Sequence, residues 1–218
     1  MAPIRPERGQ VTGPSSLMKK TRNVFLVGPM GVGKTTIGKV LAEKLGLQFL
    51  DSDREIEAST GADIPWIFDV EGESGFRVRE VRMIDQLTRR KDVVLATGGG
   101  AVLAEKNRKR LRKRGCVVYL RASIRQQVDR TSRDKNRPLL QTANPEQKIR
   151  ELMKIRDPLY REVADIVIDT NRRNPKTISQ EICRQLDAIA ESEDQKVKSK
   201  SDAESVRKTK EKKKARTG

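Results

Sequence analysis

The 218-residue sequence contains no histidine and only two cysteines, Cys116 and Cys183. Without histidine, imidazole-based zinc sites and every histidine-dependent catalytic triad are excluded. Two cysteines without C-x-x-C spacing do not make a disulfide scaffold, so an intracellular, cytoplasmic protein is expected. Phe, Trp and Tyr together form 3% of the chain, so platforms for stacking nucleic-acid bases are scarce. No apolar run approaches the roughly 18 residues that a membrane span requires. The basic stretch before Asn23 also lacks the apolar core of a signal peptide.

Positive charge, by contrast, is abundant: 47 Lys and Arg stand against 30 Asp and Glu, a formal net charge of +17. The ends contribute +7 of this, with four basic and one acidic residue in 1–20 and ten basic and six acidic in 191–218. Such a balance speaks to attraction for anions, not to a particular fold or reaction. Residues 1–20, with three prolines and two glycines, read as a flexible leader. From Gln195 onward only Val197 and Val206 are large and apolar, so burial cannot offset the entropy of ordering. Residues 191–218 are therefore expected to be a disordered basic tail, with no more than weak, salt-sensitive contact to a polyanion. The stretch 21–190 shows no repeat and is long enough for one α/β domain.

That stretch alternates short β-rich runs with helical patterns. Val24–Val27 is an apolar strand, and Ile37, Val40, Leu41 and Leu45 follow at helical spacing. Further strands are expected at 48–50, 93–96, 116–120 and 166–168. Helices are expected at 76–87, from 121 to about 130, at 146–155 and at 177–189. Alternation of this kind predicts a mostly parallel sheet with helices on both faces and right-handed connections. Ligands of such sheets bind beyond the carboxyl ends of the strands.

The sharpest motif lies at the end of the first strand, Gly28-Pro29-Met30-Gly31-Val32-Gly33-Lys34-Thr35. It fits G-x-x-x-x-G-K-[ST] between a strand and a helix, the context in which a P-loop cradles phosphates. Gly31 and Gly33 let successive N–H groups face inward as an anion nest, reinforced by the first turn of the helix. Lys34 can reach the β- and γ-phosphates of ATP, and the Thr35 hydroxyl can take Mg²⁺.

Other candidates sit at the remaining strand ends. Asp51 and Asp53 are two apart, so in extended chain they lean to one side; the alternative is capping of a following helix. The strand at 93–96 carries no Walker-B acid at its end, which makes Asp51 the natural metal partner. Gly98-Gly99-Gly100 leaves room for a ligand to approach backbone amides, unless it is simply a loop. Arg77 and Arg79 open the helix expected at 76–87, with Glu80 placed to orient the Arg77 fork. Arg130, Arg133, Lys135 and Arg137 form a basic stretch suited to a lid, with solvation as the competing reading for Arg133 and Lys135. Arg156 is expected at a helix end within reach of a carboxylate. The seven basic residues of 106–114 are expected to solvate a helix surface. Three classes compete after such a loop: hydrolysis coupled to motion or nucleic acid, as in a nucleic-acid-stimulated NTPase, a switch, and transfer to a small metabolite. The small size favours the last, with gluconate or a nucleoside monophosphate among the acceptors.

Taken together, NVFLVGPMGVGKTTIGKVLAEKL (23–45), DSDREIE (51–57), GESGFRVRE (72–80), ATGGGAV (96–102), RDKNRPLL (133–140) and IRDPLYREVAD (155–165) resemble the bacterial shikimate kinases over about residues 22–188. The resemblance implies a three-layer P-loop kinase fold, with a five-stranded parallel sheet and a mobile arginine-rich lid. It implies transfer of the γ-phosphoryl group of ATP to the 3-hydroxyl of shikimate, with Mg²⁺ as cofactor. Carried onto this chain, Gly31, Val32, Gly33, Lys34, Thr35 and Thr36 wrap the ATP phosphates, with Arg130, Arg137 and Arg173 also on the nucleotide side. Thr35 and Asp51 serve the metal. Asp53 orients or deprotonates the acceptor, Arg77 and Arg156 clamp its carboxylate, and Gly98, Gly99 and Gly100 approach its ring. Lys34, Asp53 and Arg137 carry the catalytic roles. A monomer is expected, and nucleic acid is not an expected partner of the catalytic domain.

Overall fold

The computed structural model describes residues 23–132, 142, 144–192 and 195. Strands β1 (Asn23–Val27), β2 (Gln48–Asp51), β3 (Val93–Ala96), β4 (Gly115–Arg121) and β5 (Ile166–Asp169) form a single sheet in the order β2-β3-β1-β4-β5. Every pairing is parallel; Phe25, for example, lies between Leu95 of β3 and Val117 of β4. The central strands are buried along their whole length, which is why they read as unbroken apolar runs rather than alternating ones.

Both faces of the sheet are covered. Phe25, Val27, Leu95, Val117 and Tyr119 face a core shared with helices α2 (Ser52–Thr60), α3 (Ile64–Leu87), α4 (Glu105–Arg114) and α6 (Pro145–Val163). On the opposite face α1 (Lys34–Leu45) lies so close that a methyl on Gly38 would sit 2.5 Å from the Phe49 ring and 3.1 Å from Leu26. A final helix, α7 (residues 175–192), meets α1 where the buried Ser179 hydroxyl donates to the Ile37 carbonyl at 3.4 Å. Helix α5 (Ile124–Thr131) follows β4. No helix among the described residues is long and apolar enough to cross a membrane. The sheet lies within the unit Arg22–Leu186.

Several helices differ from the sequence reading. Helix α2, offered from sequence only as the alternative reading of Asp51, is present, and Asp51 caps it by accepting from the Asp53 N–H at 3.1 Å. Helix α3 begins at Ile64, twelve residues before the expected start, because Asp63 caps it and Pro65 suits its first turn. It bends at Gly72, whose φ of 69° and ψ of 178° leave the helical region, and Arg79 bridges the bend by pairing with Glu71. Helix α6 does not stop at 155. It continues through Pro158 to Val163, since buried Tyr160 and Val163 hold the turn that proline weakens.

The basic helix α4 also does more than meet solvent. Arg108 donates to the Val102 and Leu103 carbonyls, Arg110 to the Val81 carbonyl, and Arg114 to the Asp85 carboxylate and the Thr88 hydroxyl. Arg89, Arg110 and Arg114 all surround Asp85, and their hydrogen bonds and charge pull its carboxyl down to about 2.

Candidate active site

The loop after β1 is shaped by its glycines. Gly31 and Gly33 hold φ of 74° and 95°, in the left-handed region where a side chain would be strained, and Gly33 occupies the N-cap of α1. The first-turn N–H groups of α1 thus open onto the loop with no side-chain cap in their way. Lys34 folds back over the loop and donates from Nζ to the Gly28 and Pro29 carbonyls at 2.7 and 2.8 Å. Arg130 of α5 braces the outer side, with Nη1 at 3.2 Å from both the Gly31 and Val32 carbonyls.

Thr35 and Asp51, proposed from sequence as metal partners, are joined: the Thr35 hydroxyl donates to Asp51 Oδ2 at 2.7 Å. Capping of α2 and contact with the loop are therefore compatible, because the two oxygens of Asp51 serve one each. Two residues on, Asp53 projects toward the glycine segment after β3. A methyl on Gly98 would lie 2.7 Å from Asp53 Oδ1 and 2.6 Å from Glu80 Oε1, so both carboxylates flank the same backbone position.

Arg77 arrives from the middle of α3. Its Nη1 donates to Glu80 Oε2 at 2.8 Å and its Nη2 to Glu73 Oε1 at 2.7 Å, so the Glu80 role read from sequence is realised. The guanidinium packs so tightly over Gly100 that a methyl there would sit 2.2 Å from Nη1. Arg156 is buried in the interior of α6 instead of lying at a helix end, and Nη1 donates to the Gly99 carbonyl at 3.3 Å. A methyl on Gly99 would be 3.5 Å from the Met30 amide of the loop and 3.8 Å from Arg156 Nη1. A small pocket lies between the loop, α5 and α6, lined by Pro29, Met30, Gln127, Met153 and Arg156 among others.

Glu80 is the group whose position sequence reasoning underrated. Its side chain is fully buried, and burial pushes its carboxyl up against the opposing pull of Arg77 and Arg156. Oε2 is paired with Arg77, while Oε1 has no hydrogen-bond partner among the described residues. A buried oxygen left in that state costs on the order of 1–3 kcal/mol. Tyr160, also fully buried, donates its hydroxyl to the Gly99 carbonyl at 2.5 Å. The helical spacing of Arg156 and Tyr160 was the available signal for it.

Arg173 stands apart from this group, donating to the Asp169 carbonyl at the end of β5 and pairing with Glu181. Arg79 is committed to the α3 bend. Arg137, Arg133 and Lys135, and with them most of the expected lid, lie outside the described residues, as do residues 1–20 and most of 191–218. No group of three or more His, Cys, Asp or Glu residues that could hold a metal occurs among the described residues.

The shikimate kinase family model matches residues 30–187. Shikimate kinase from Pseudomonas fluorescens (strain Pf0-1) is 61% identical over 170 residues, spanning 78% of this chain and 97% of that protein. The structure of shikimate kinase from Acinetobacter baumannii in complex with shikimate matches with a TM-score of 0.77 at 57% identity, over 79% of this chain and 97% of that one. A gluconokinase from Sinorhizobium meliloti 1021, at 16% identity and a TM-score of 0.53 over 78% and 94% of the two chains, shares the fold alone. The chain belongs to the shikimate kinase family.

Proposed function

We propose that the protein transfers the γ-phosphoryl group of ATP to the 3-hydroxyl of shikimate, giving shikimate 3-phosphate and ADP in the cytoplasm. The observation that carries this reading is the convergence of Asp53, Glu80, Arg77 and Arg156 on Gly98–Gly100, directly beside the Met30 amide of the phosphate loop. An anionic acceptor with several hydroxyls calls for this mixture: guanidinium forks for the carboxylate, carboxylates and bare backbone for the hydroxyls.

In this reading the loop 31–36 wraps the phosphates, and Lys34 exchanges its carbonyl contacts for the transferring group. Arg130 steadies the loop from outside, and Arg137 and Arg173 serve the nucleotide. Asp53 orients the 3-hydroxyl and accepts its proton as the new P–O bond forms and the bond to the ADP oxygen breaks. Phosphoryl transfer asks mainly for positioning and charge stabilisation, so a carboxylate acting late is sufficient. Arg77 and Arg156 hold the shikimate carboxylate. Glu80 Oε1, without a hydrogen-bond partner among the described residues, is suited to accept from a ligand hydroxyl or a water that comes with it.

The hydroxyl of Thr35 and the carboxylate of Asp51 are hard oxygen donors of the kind that Mg²⁺ takes together with water and phosphate oxygens. When bound, the ion would neutralise charge on the β- and γ-phosphates.

Turnover tests the reading: ADP release is followed with shikimate, gluconate and nucleoside monophosphates as acceptors. Shikimate alone should support rapid release. Turnover with gluconate or a monophosphate, and none with shikimate, would overturn the assignment.

A further inference from the structure

A run of three glycines has no side chains to hold its own shape and loses more conformational freedom on ordering than any other sequence. Gly98–Gly100 is nevertheless the surface on which the acceptor groups converge, so something else must fix its peptide planes. Beside the backbone bonds from Ala101 and Leu103 to the Gly98 and Gly100 carbonyls, two fully buried hydroxyls bond to it, one from α2 and one from α6. Ser52, between Asp51 and Asp53 in the first turn of α2, accepts the Gly98 N–H on Oγ at 2.9 Å. Tyr160 of α6 donates its hydroxyl to the Gly99 carbonyl at 2.5 Å.

The Tyr160 hydroxyl is itself held in place. Its ring stacks on Tyr119 of β4, with centroids 4.9 Å apart and planes at 27°. Tyr119 donates to Asp157 Oδ1 at 2.6 Å, and Asp157 pairs with Arg161 at 2.7 Å. The Gly99 carbonyl also receives Arg156, and a carbonyl oxygen offers two lone pairs. Tyr160 takes one of them and Arg156 the other at longer range, and the Tyr160 hydroxyl also interacts with Arg156 itself. Removing that hydroxyl therefore takes away both a donor to the carbonyl and a neighbour that sets where the guanidinium lies.

We propose that Ser52 and Tyr160 are positioning residues for the phosphoryl acceptor, two buried hydroxyls that clamp Gly98 and Gly99 and so aim both the glycine amides and Arg156. The inference rests on the reading that this segment lines the shikimate site. Among the described residues neither hydroxyl bonds to the phosphate loop, and Ser52 also donates to Asp53 at 3.5 Å, so the clamp is expected to act on the acceptor side.

The test compares Tyr160→Phe, Ser52→Ala and Gly99→Ala in the intact chain, each measured for shikimate KM, ATP KM, kcat and thermal unfolding. Phe keeps the volume of Tyr160 and so retains the packing. Loss of one such hydrogen bond should raise the shikimate KM roughly fivefold to tenfold. The ATP KM should stay within a factor of about two, since no contact to the loop is lost. Because the two hydroxyls sit in separate elements, either variant carries the test if the other unfolds. An unchanged shikimate KM in the folded variants, or shikimate and ATP KM values rising together, would overturn the clamp. Gly99→Ala, whose methyl meets nothing closer than 3.5 Å, separates the two levels. If it raises the shikimate KM while the hydroxyl variants do not, only the clamp is wrong. If it leaves that KM unchanged, the glycine segment does not line the site, and the clamp is wrong with it.

Discussion

The phosphate loop and the proposed acceptor pocket adjoin each other, yet they are built on opposite principles. The loop is a continuous stretch, 28–36, whose shape follows from its own glycines and whose donors are backbone amides at the start of α1. The pocket draws on four separate places: Asp53 at the head of α2, Arg77 and Glu80 from mid α3, the glycines after β3, and Arg156 deep in α6. It is held by buried polar contacts rather than by local turn geometry. A local device tolerates change elsewhere, whereas a convergent one depends on every element that feeds it.

If that contrast is right, the two halves should fail separately. The largest effect is expected for Lys34→Ala, which should lower kcat by about 10²–10³-fold, the scale for removing one preorganised donor to developing charge. Next come Arg77→Ala and Arg156→Ala, each losing charge-assisted bonds to a carboxylate and raising the shikimate KM by roughly 10- to 100-fold. Their ATP KM should scarcely move; a parallel rise in both constants would break the contrast. Gly100→Ala sharpens it with a smaller step. Its methyl would lie 2.2 Å from the Arg77 guanidinium, the mobile end of a long side chain, so the shikimate KM should rise while thermal stability is nearly kept.

The smallest effect is expected away from both halves. Asp85, surrounded by three arginines, has its carboxyl pulled down to about 2. A carboxyl lowered on folding contributes stability that is complete above its unfolded value of 3.8 and fades as pH falls toward about 2. Asp85→Asn should therefore melt slightly below the parent at neutral pH, with the gap closing between about pH 4 and pH 2 and turnover unchanged. A gap that persists at pH 2 would show that the side chain acts through packing instead.

The same contrast decides what could be read from the residues alone. The phosphate loop is a contiguous motif in the right context, so Gly31 to Thr35 were legible before any coordinates. Strands β1, β3 and β4 were legible because buried parallel strands are short apolar runs, whereas the edge strands β2 and β5 are only partly buried and carry a weaker signal. Asp53, Arg77 and Arg156 were recognisable as candidates, but their meeting point depends on crossovers that no local pattern encodes. The apolar residues of α3 before Gly72, among them exposed Trp66 and Val70, hide its true start; only Asp63 and Pro65 mark it. Exposed Ile155 and Pro158 likewise suggest a helix end where α6 runs on, which misplaces Arg156 and conceals Tyr160. The full burial of Glu80 and of Ser52 is a property of packing, with no trace in the one-dimensional pattern.

The separateness of the two halves is tested most directly by calorimetric titration of shikimate into the parent protein and into Lys34→Ala. The expected result is an acceptor affinity within about threefold of the parent in a variant that has lost nearly all turnover, since no acceptor contact is removed. Loss of shikimate binding in step with turnover, in a variant that unfolds at the parent temperature, would contradict it: Lys34 would then belong to the acceptor pocket as much as to the loop.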